Sequence, residues 1–344
     1  LLRGQFHDIT GLGDRTTIAL YSTADLKEQQ TLQLAHDFRV GSEGLTFGGQ
    51  LTLAWASPDV GNPAIDFDSR TMFATLEASY PFIRRQERTL RGSFGLDIVN
   101  QDVDFGGAPL NRDRLRVAFA RLAYDSVGYH RTDARYGTRP LWSFSVFAEG
   151  RQGLDILGAT EPCGPTLAAC LPPVVPPTRS EGDPTGTVLR TGLLAEYRPD
   201  PKFTIAFAAR AQQSSNPLLS FEEFAGGNYT IGRGYDPGSI LGDSGLGFLA
   251  ELRYGSVIPD RPDQFAFEPF VFIDQIWAWN EDRITPIPRQ ELTSIGGGLR
   301  LAYGDRLRLE VSLIAPLDRT AAQPDRDPRL LISLTTRLWP WSYR

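Results

Sequence analysis

Leu307-Arg-Leu-Glu-Val-Ser-Leu313 alternates apolar and polar side chains at every step, and this two-residue period recurs along most of the chain. Successive side chains of a β-strand point to opposite faces, so the period specifies strands with one apolar and one polar face. Leu90, Gly92, Phe94, Leu96 and Ile98 share one face, with Arg91, Ser93 and Asp97 on the other. Phe203, Ile205, Phe207 and Ala209 oppose Thr204, Ala206 and Arg210 in the same way. No segment offers a sustained helical period with caps. The reading gives about fourteen strands, many near the ~9–11 residues that cross a bilayer at a tilt.

The links between strands narrow the class. Tight connections fall at Gly41–Gly44, Ile83–Glu87, Pro199–Pro201 and Gly304-Asp305. Between them come longer ones, near 57–68, 103–112, 154–185, 215–244, 281–290 and 316–327, with the link at 127–140 breaking the rule. A soluble sandwich has no reason to sort loop length by the end of the sheet. Outer-membrane barrels do, with short periplasmic turns and long external loops. The predicted fold is therefore all-β, a transmembrane antiparallel β-barrel, with a large soluble β-protein as the alternative that yields the same alternation. On that reading Leu309, Val311 and Leu313 face lipid, while Arg308, Glu310 and Ser312 face the lumen.

Composition fits a barrel and removes other classes. Charged residues make up 22% of the 344 and hydrophobic ones 41%, with 34 Gly, 20 Phe, 11 Tyr and one Met. No run approaches the ~18 apolar residues of a membrane helix. A net charge of −6 without a basic run argues against nucleic acid as partner. Cys163 and Cys170, the only cysteines, stand in one proline-rich link that is expected to be extended and exposed. They read as a local disulfide in an oxidising compartment in preference to two free thiols, and no second Cys or His pair suggests a zinc site.

Several chemical motifs fail for want of partners. Gly242-Asp243-Ser244-Gly245 resembles a serine-protease nucleophile segment, but His7, His36 and His130 lack a matching context for a general base. His36 sits on an alternating strand and reads as a packing residue. The glycines at 232, 234, 238, 242, 245 and 247 do not form a phosphate cradle, because a strand follows them where a helix is needed. No enzyme, cofactor or nucleotide is expected.

What remains is Ile231-Gly-Arg-Gly-Tyr235, then Gly242-Asp243, then Glu251-Leu-Arg253, followed on the next strand by Phe272-Ile-Asp274. This series resembles the loop and wall motifs of two-partner secretion transporters of the ShlB/FhaC/HecB type, within the superfamily that includes BamA and TamA. Gly11-Leu-Gly-Asp14 resembles the early barrel of the same family. The chain has Gly232 where the family has Val or Ile before the arginine, and Ile276 where it often has Gly. The resemblance implies a 16-stranded barrel in the full protein. Residues 1–344 would be its C-terminal barrel domain, with the first strands, a plug helix and periplasmic POTRA domains lying upstream. It implies that the loop folds into the lumen, with Arg233, Gly234 and Tyr235 at its tip against Asp274, Phe272 and Glu251 on the wall. Arg233 is expected to pair with Asp274, with Glu251 as the competing carboxylate and a solvated surface position as the plain alternative.

The resemblance further implies a pore in the Gram-negative outer membrane, in contact with its lipid, that passes an unfolded exoprotein client of haemolysin or adhesin type without ATP. An assembly factor like BamA or TamA is the first alternative and a passive porin the second.

Overall fold

The computed structural model describes residues 1–58, 66–129, 139–164, 168–227, 231–259, 261, 263–282, 289–320 and 323–337. Fifteen strands form one antiparallel sheet in which each strand pairs with its neighbours in sequence. They are β1 (Leu2–His7), β2 (Arg15–Ser22), β3 (Gln29–Val40), β4 (Leu45–Ala56), β5 (Phe67–Arg84), β6 (Arg88–Phe105), β7 (Ala108–Gly128) and β8 (Trp142–Gly153). There follow β9 (Thr187–Asp200), β10 (Phe203–Ser214), β13 (Ser244–Tyr254), β14 (Phe265–Trp279), β15 (Arg289–Tyr303), β16 (Leu307–Pro316) and β17 (Arg329–Thr336). Two short strands, β11 (Phe224–Gly226) and β12 (Ile240–Gly242), pair with each other inside the link between β10 and β13.

The alternation sorts the two faces. In β14, Ala266, Glu268, Phe270, Phe272 and Asp274 are buried, whereas Phe265, Phe267, Val271 and Ile273 are exposed. Apolar side chains outside and charged ones inside invert the order of a soluble core, as a barrel in lipid requires. In β16, Glu310 accepts from Arg300 and Ser312 is buried, while Leu313 points out. Ring pairs gather near the short-turn ends of the strands: Phe265 with Tyr303 at 4.7 Å, Phe203 with Tyr254 at 6.2 Å and Trp142 with Phe144 at 5.6 Å. Such a girdle suits the membrane–water boundary.

The fifteen strands of the sheet agree with the about fourteen read from the sequence, β1 lying ahead of the first segment read there as a strand. Two details differ from the sequence reading. Gly106-Gly107 makes a two-residue turn where a long link was expected, with φ of 57° and 76°. Only glycine adopts such a pair cheaply, and the turn lets β6 and β7 project as one tall hairpin. The link after β8 is also less exposed than expected. Its second half packs inward, where a Cβ on Gly182 would stand 2.7 Å from Leu219.

Sheet curvature is visible in what the β10–β13 link touches. Leu219 packs on Val99 and Leu115 of β6 and β7, while Tyr235 bonds to Thr293 on β15. One loop reaches both walls, so the sheet wraps around it.

Candidate functional site

The link from 215 to 243 is fixed at its base, along its first limb and at its tip. At the base, Asp243 is fully buried and accepts from Arg179 Nη1 at 2.5 Å and from the amides of Leu218 and Glu281, both at 2.7 Å. Arg179 also pairs with Glu223 at 3.0 Å and with Asp282. Ser244 Oγ accepts from the Ser214 amide at 2.9 Å and donates to Glu281. Gly242-Asp243-Ser244-Gly245 is therefore a structural knot, and none of these partners is a histidine. His36 bonds Thr16 Oγ1 at 2.9 Å through Nδ1 and lies beside Phe38. His130 lies outside the described residues.

At the tip, Arg233 lies inside the sheet and is 8% exposed. Its Nη2 donates to Glu251 Oε2 at 3.0 Å, and its guanidinium lies 3.4 Å from the centroid of the Phe272 ring. Asp274 Oδ2 is 3.8 Å from Nε and accepts instead from the Arg233 backbone amide at 3.2 Å. The expected pairing is thus divided: Glu251 takes the side chain and Asp274 the main chain. Ser294 Oγ donates to Asp274 and accepts from the Gly234 amide at 3.2 Å. Tyr235 is buried, donates to the Thr293 carbonyl at 2.9 Å and accepts from the Asp318 amide at 2.8 Å.

Glu251 does not serve Arg233 alone. Its Oε1 accepts from Arg253 at 2.6 Å and from Arg300 at 2.8 Å, and Arg300 continues to Glu310 at 2.8 Å. Three guanidinium groups share one buried carboxylate, and the aromatic face supplies a further partner for Arg233.

Glycines make room for this arrangement. A Cβ on Gly296 would stand 2.7 Å from the Phe272 ring, and one on Gly298 would stand 2.8 Å from the Phe270 ring. Gly234 passes Ser294 with only 2.9 Å for a Cβ. The two departures from the family pattern match each other. Gly232 has φ 83°, and a Cβ there would meet Ile276 at 2.8 Å. Ile276 is fully buried in a cluster with Ile231, Tyr235, Ile240 and Leu292. The larger residue on the wall is accommodated by the smaller one in the loop.

Sequence reasoning missed Ser294, Arg300, Gly296 and Gly298. The run Ile295-Gly-Gly-Gly-Leu299 was the available signal, since glycine inside a strand marks a close approach. Cys163 and Cys170 are joined, with Cα atoms 5.2 Å apart.

The structure is similar to that of CdiB from Escherichia coli, with a TM-score of 0.73 and 14% identity over 96% of this chain and 57% of that one. CdiB from Acinetobacter baumannii gives 0.65 and 15% over 96% and 55%. BamA from Haemophilus ducreyi lacking POTRA domains 1-3 gives 0.64 and 12% over 97% and 66%. The chain thus spans less than two thirds of each, and identities this low speak to the fold. No curated protein sequence matches. A family model, Haemolysin secretion/activation protein ShlB/FhaC/HecB, matches residues 5–301. The chain belongs to the ShlB/FhaC/HecB haemolysin secretion/activation family and is an outer-membrane β-barrel.

Proposed function

We propose that the barrel is a pore that passes an unfolded partner exoprotein to the cell surface without ATP, gated by the loop that carries Arg233, Gly234 and Tyr235. The observation that carries this reading is the loop itself. It crosses the lumen and is held by ionic and hydrogen-bonded contacts, with polar and charged side chains along much of the wall. Contacts of this kind can be exchanged for water or for a peptide, and the apolar part of the loop's seat is confined to small clusters about Ile231, Tyr235 and Ile240 and about Leu219. The client would be of haemolysin or adhesin type, in keeping with the family. An extended chain needs no external energy source if it folds as it emerges.

The test is export. The full-length protein is produced in a Gram-negative host with a large secreted β-helical protein encoded beside it. Surface appearance of that client should depend on the barrel and fall sharply with Arg233→Ala. A second reading, assembly of other outer-membrane barrels, is favoured by the likeness to BamA. Unchanged client export with slowed insertion of other barrels would establish it instead.

A further inference from the structure

The outward face of β5–β7 changes character at its long-link end. On β7 the lipid-facing positions run Tyr124, Leu122, Ala120 and Ala118 and then become Arg116, Arg114 and Arg112. Arg114 is ten residues from Tyr124, a length that a strand tilted by ~40° covers in roughly 25 Å. That is about the height of the apolar band of an outer-membrane barrel, so the arginines stand at its outer boundary. Arg114 donates to both oxygens of Asp102 on β6, at 2.7 and 2.9 Å, and Arg112 donates to the same carboxylate at 2.8 Å. Arg70 of β5 lies opposite Asp102 and is exposed. Three guanidinium groups thus meet one carboxylate. Asp68 and Asp104 lie opposite each other one step farther out.

Two further features lie beside the arginines. Ile156 and Leu157, in the link that leaves β8, are 44% and 67% exposed. Leu157 has φ 51°, in the left-handed region that a side chain of its size rarely adopts. Its carbonyl accepts from Arg116 Nε at 3.3 Å and Nη2 at 3.1 Å. A strained backbone thus presents an apolar side chain at the height where the bilayer ends. Below it, an apolar groove of about 450 Å³ follows the outward face of β5–β8, lined by Ala78, Phe94, Ala120, Leu122, Ala148 and Gly150 among others. Gly150 lies three residues from the end of β8, and a Cβ there would have no atom within 4 Å. From Gly150 to Arg114, by way of the Val117–Gly153 pair, the path along the strands is roughly 20 Å. One leaflet with its headgroups is about that deep.

We propose that this outward face binds a phosphorylated lipid of the outer leaflet, with its phosphates on Arg70, Arg112 and Arg114 and an acyl chain in the groove about Gly150. The planar guanidinium fork suits phosphate oxygens, and the anion supplies the negative charge that Asp102 alone does not. Asp68 and Asp104, farther out, disfavour a free anion arriving from solvent. They oppose less a phosphate anchored from below by its own acyl chains. Arg116 is tied to the carbonyls of Val99, Leu115 and Leu157, so it fixes the link that carries Ile156 and Leu157 beside the lipid. The site faces lipid and not the lumen, so it is independent of what the barrel passes.

The test titrates the full-length protein, purified in detergent and checked by heat-modifiable gel migration, with bisphosphorylated lipid A. Arg70→Gln combined with Arg112→Gln should lower the affinity roughly tenfold through the loss of two charged contacts. Arg114 stays on Asp102 in that variant, so no carboxylate is stranded. Gly150→Phe should fill the groove and lower the affinity several-fold. Removing both phosphates from the lipid should weaken its binding to the unaltered protein as much as the arginine changes do, a comparison that needs no variant to fold. Inorganic pyrophosphate at the lipid's concentration should not compete. Equal binding of lipid A by the unaltered protein and the arginine variant, or equal binding of the phosphorylated and dephosphorylated lipids, would overturn the proposal. Competition by pyrophosphate would make the arginines a site for free phosphate, and unchanged affinity in Gly150→Phe would empty the groove of its acyl chain. Either of these results would also overturn the lipid site as stated.

Discussion

The inner faces of β13–β16 and of β3–β6 belong to one sheet and follow one alternation, yet they carry different residues. On β13–β16 the inward positions include Glu251, Phe272, Asp274, Ser294 and Ile314, of which Asp274, Ser294 and Ile314 are almost fully buried. Gly296 and Gly298 seat the aromatic rings of the neighbouring strand. On β3–β6 the inward positions include Gly48, Gln50, Thr75 and Ser93, half-buried around an open cavity. Large rings and shared charges need exact neighbours, so the first wall holds the loop. On the second wall Gln50, Thr75 and Ser93 stand among the charged Asp37, Glu77 and Arg91 and border open space. Backbone pairing is the same on both sides, and side-chain volume decides which one is occupied.

The contrast is sharpest at glycine. A Cβ on Gly298 would lie 2.3 Å from the Val311 carbonyl oxygen, so Gly298→Ala must move backbone. On Gly48 the nearest atom is 3.6 Å away, an ordinary contact. Gly298→Ala should therefore cost about 1–3 kcal/mol of overpacking and greatly reduce the heat-modifiable barrel, while Gly48→Ala leaves it unchanged. Equal behaviour of the two would show that the walls are equally tolerant.

Next in size is the loop anchor. Arg233→Ala should leave the barrel inserted, because Glu251 keeps Arg253 and Arg300, but should loosen the tip and impair export several-fold. Reversal of the pair, Arg233→Glu with Glu251→Arg, should not rescue it. The reversal would set three arginines against one glutamate, and like charges at that distance repel. Recovery of export by the double variant would mean that Arg253 and Arg300 are not held on Glu251 in the working state.

A smaller effect is expected at Gly232. Gly232→Val collides with Ile276 and also forces a β-branched residue to positive φ. Adding Ile276→Gly should relieve the collision and leave the backbone strain. Export should thus fall with the single change and recover only in part with the second. Full recovery would show that φ at this position is not constrained.

These expectations also mark what the sequence could carry. Strand existence was legible because a period of two survives any barrel size, and the turn at Gly304-Asp305 announced itself. The hairpin at Gly106-Gly107 was hidden, since polar residues such as Asp102, Asp104 and Asn111 read as a loop until Arg112 and Arg114 are seen pairing with Asp102. The loop tip was found through its resemblance to a family. How Arg233 divides itself between Asp274 and Glu251 was not legible, because it depends on cross-strand register. Glu251 lies opposite Phe272 and Asp274 opposite Ser294, and neither pairing can be read from one strand alone. The pairing of Glu222 with Arg151 and Arg190 joins three separate segments and leaves no local signal.

The smallest expected effect is a pH dependence confined to the side where the loop begins. Glu223 lies in the link after β10, outside the membrane-spanning strands, and its carboxyl is pushed up to about 7. Burial is the main cause; the carboxylates of Asp243 and Asp282 add to it, and Arg179 opposes it. A folded-state value raised from the ordinary 4.5 means that the folded loop binds a proton more tightly than the unfolded one. The stability contributed is fully present below about 4.5 and is lost as pH rises to about 7, where an ionised Glu223 joins two other acids around one arginine. Hydrogen exchange of the peptide spanning 215–226, with intrinsic rates divided out, should show a few-fold greater protection at pH 5.5 than at pH 8. Glu223→Gln should hold the higher protection at both values, because its neutral amide mimics the protonated acid. Peptides from β3–β6 should show no such difference in either protein. A slope that persists in Glu223→Gln would assign the titration to another group, and a slope of equal size on β3–β6 would dissolve the distinction between the two walls.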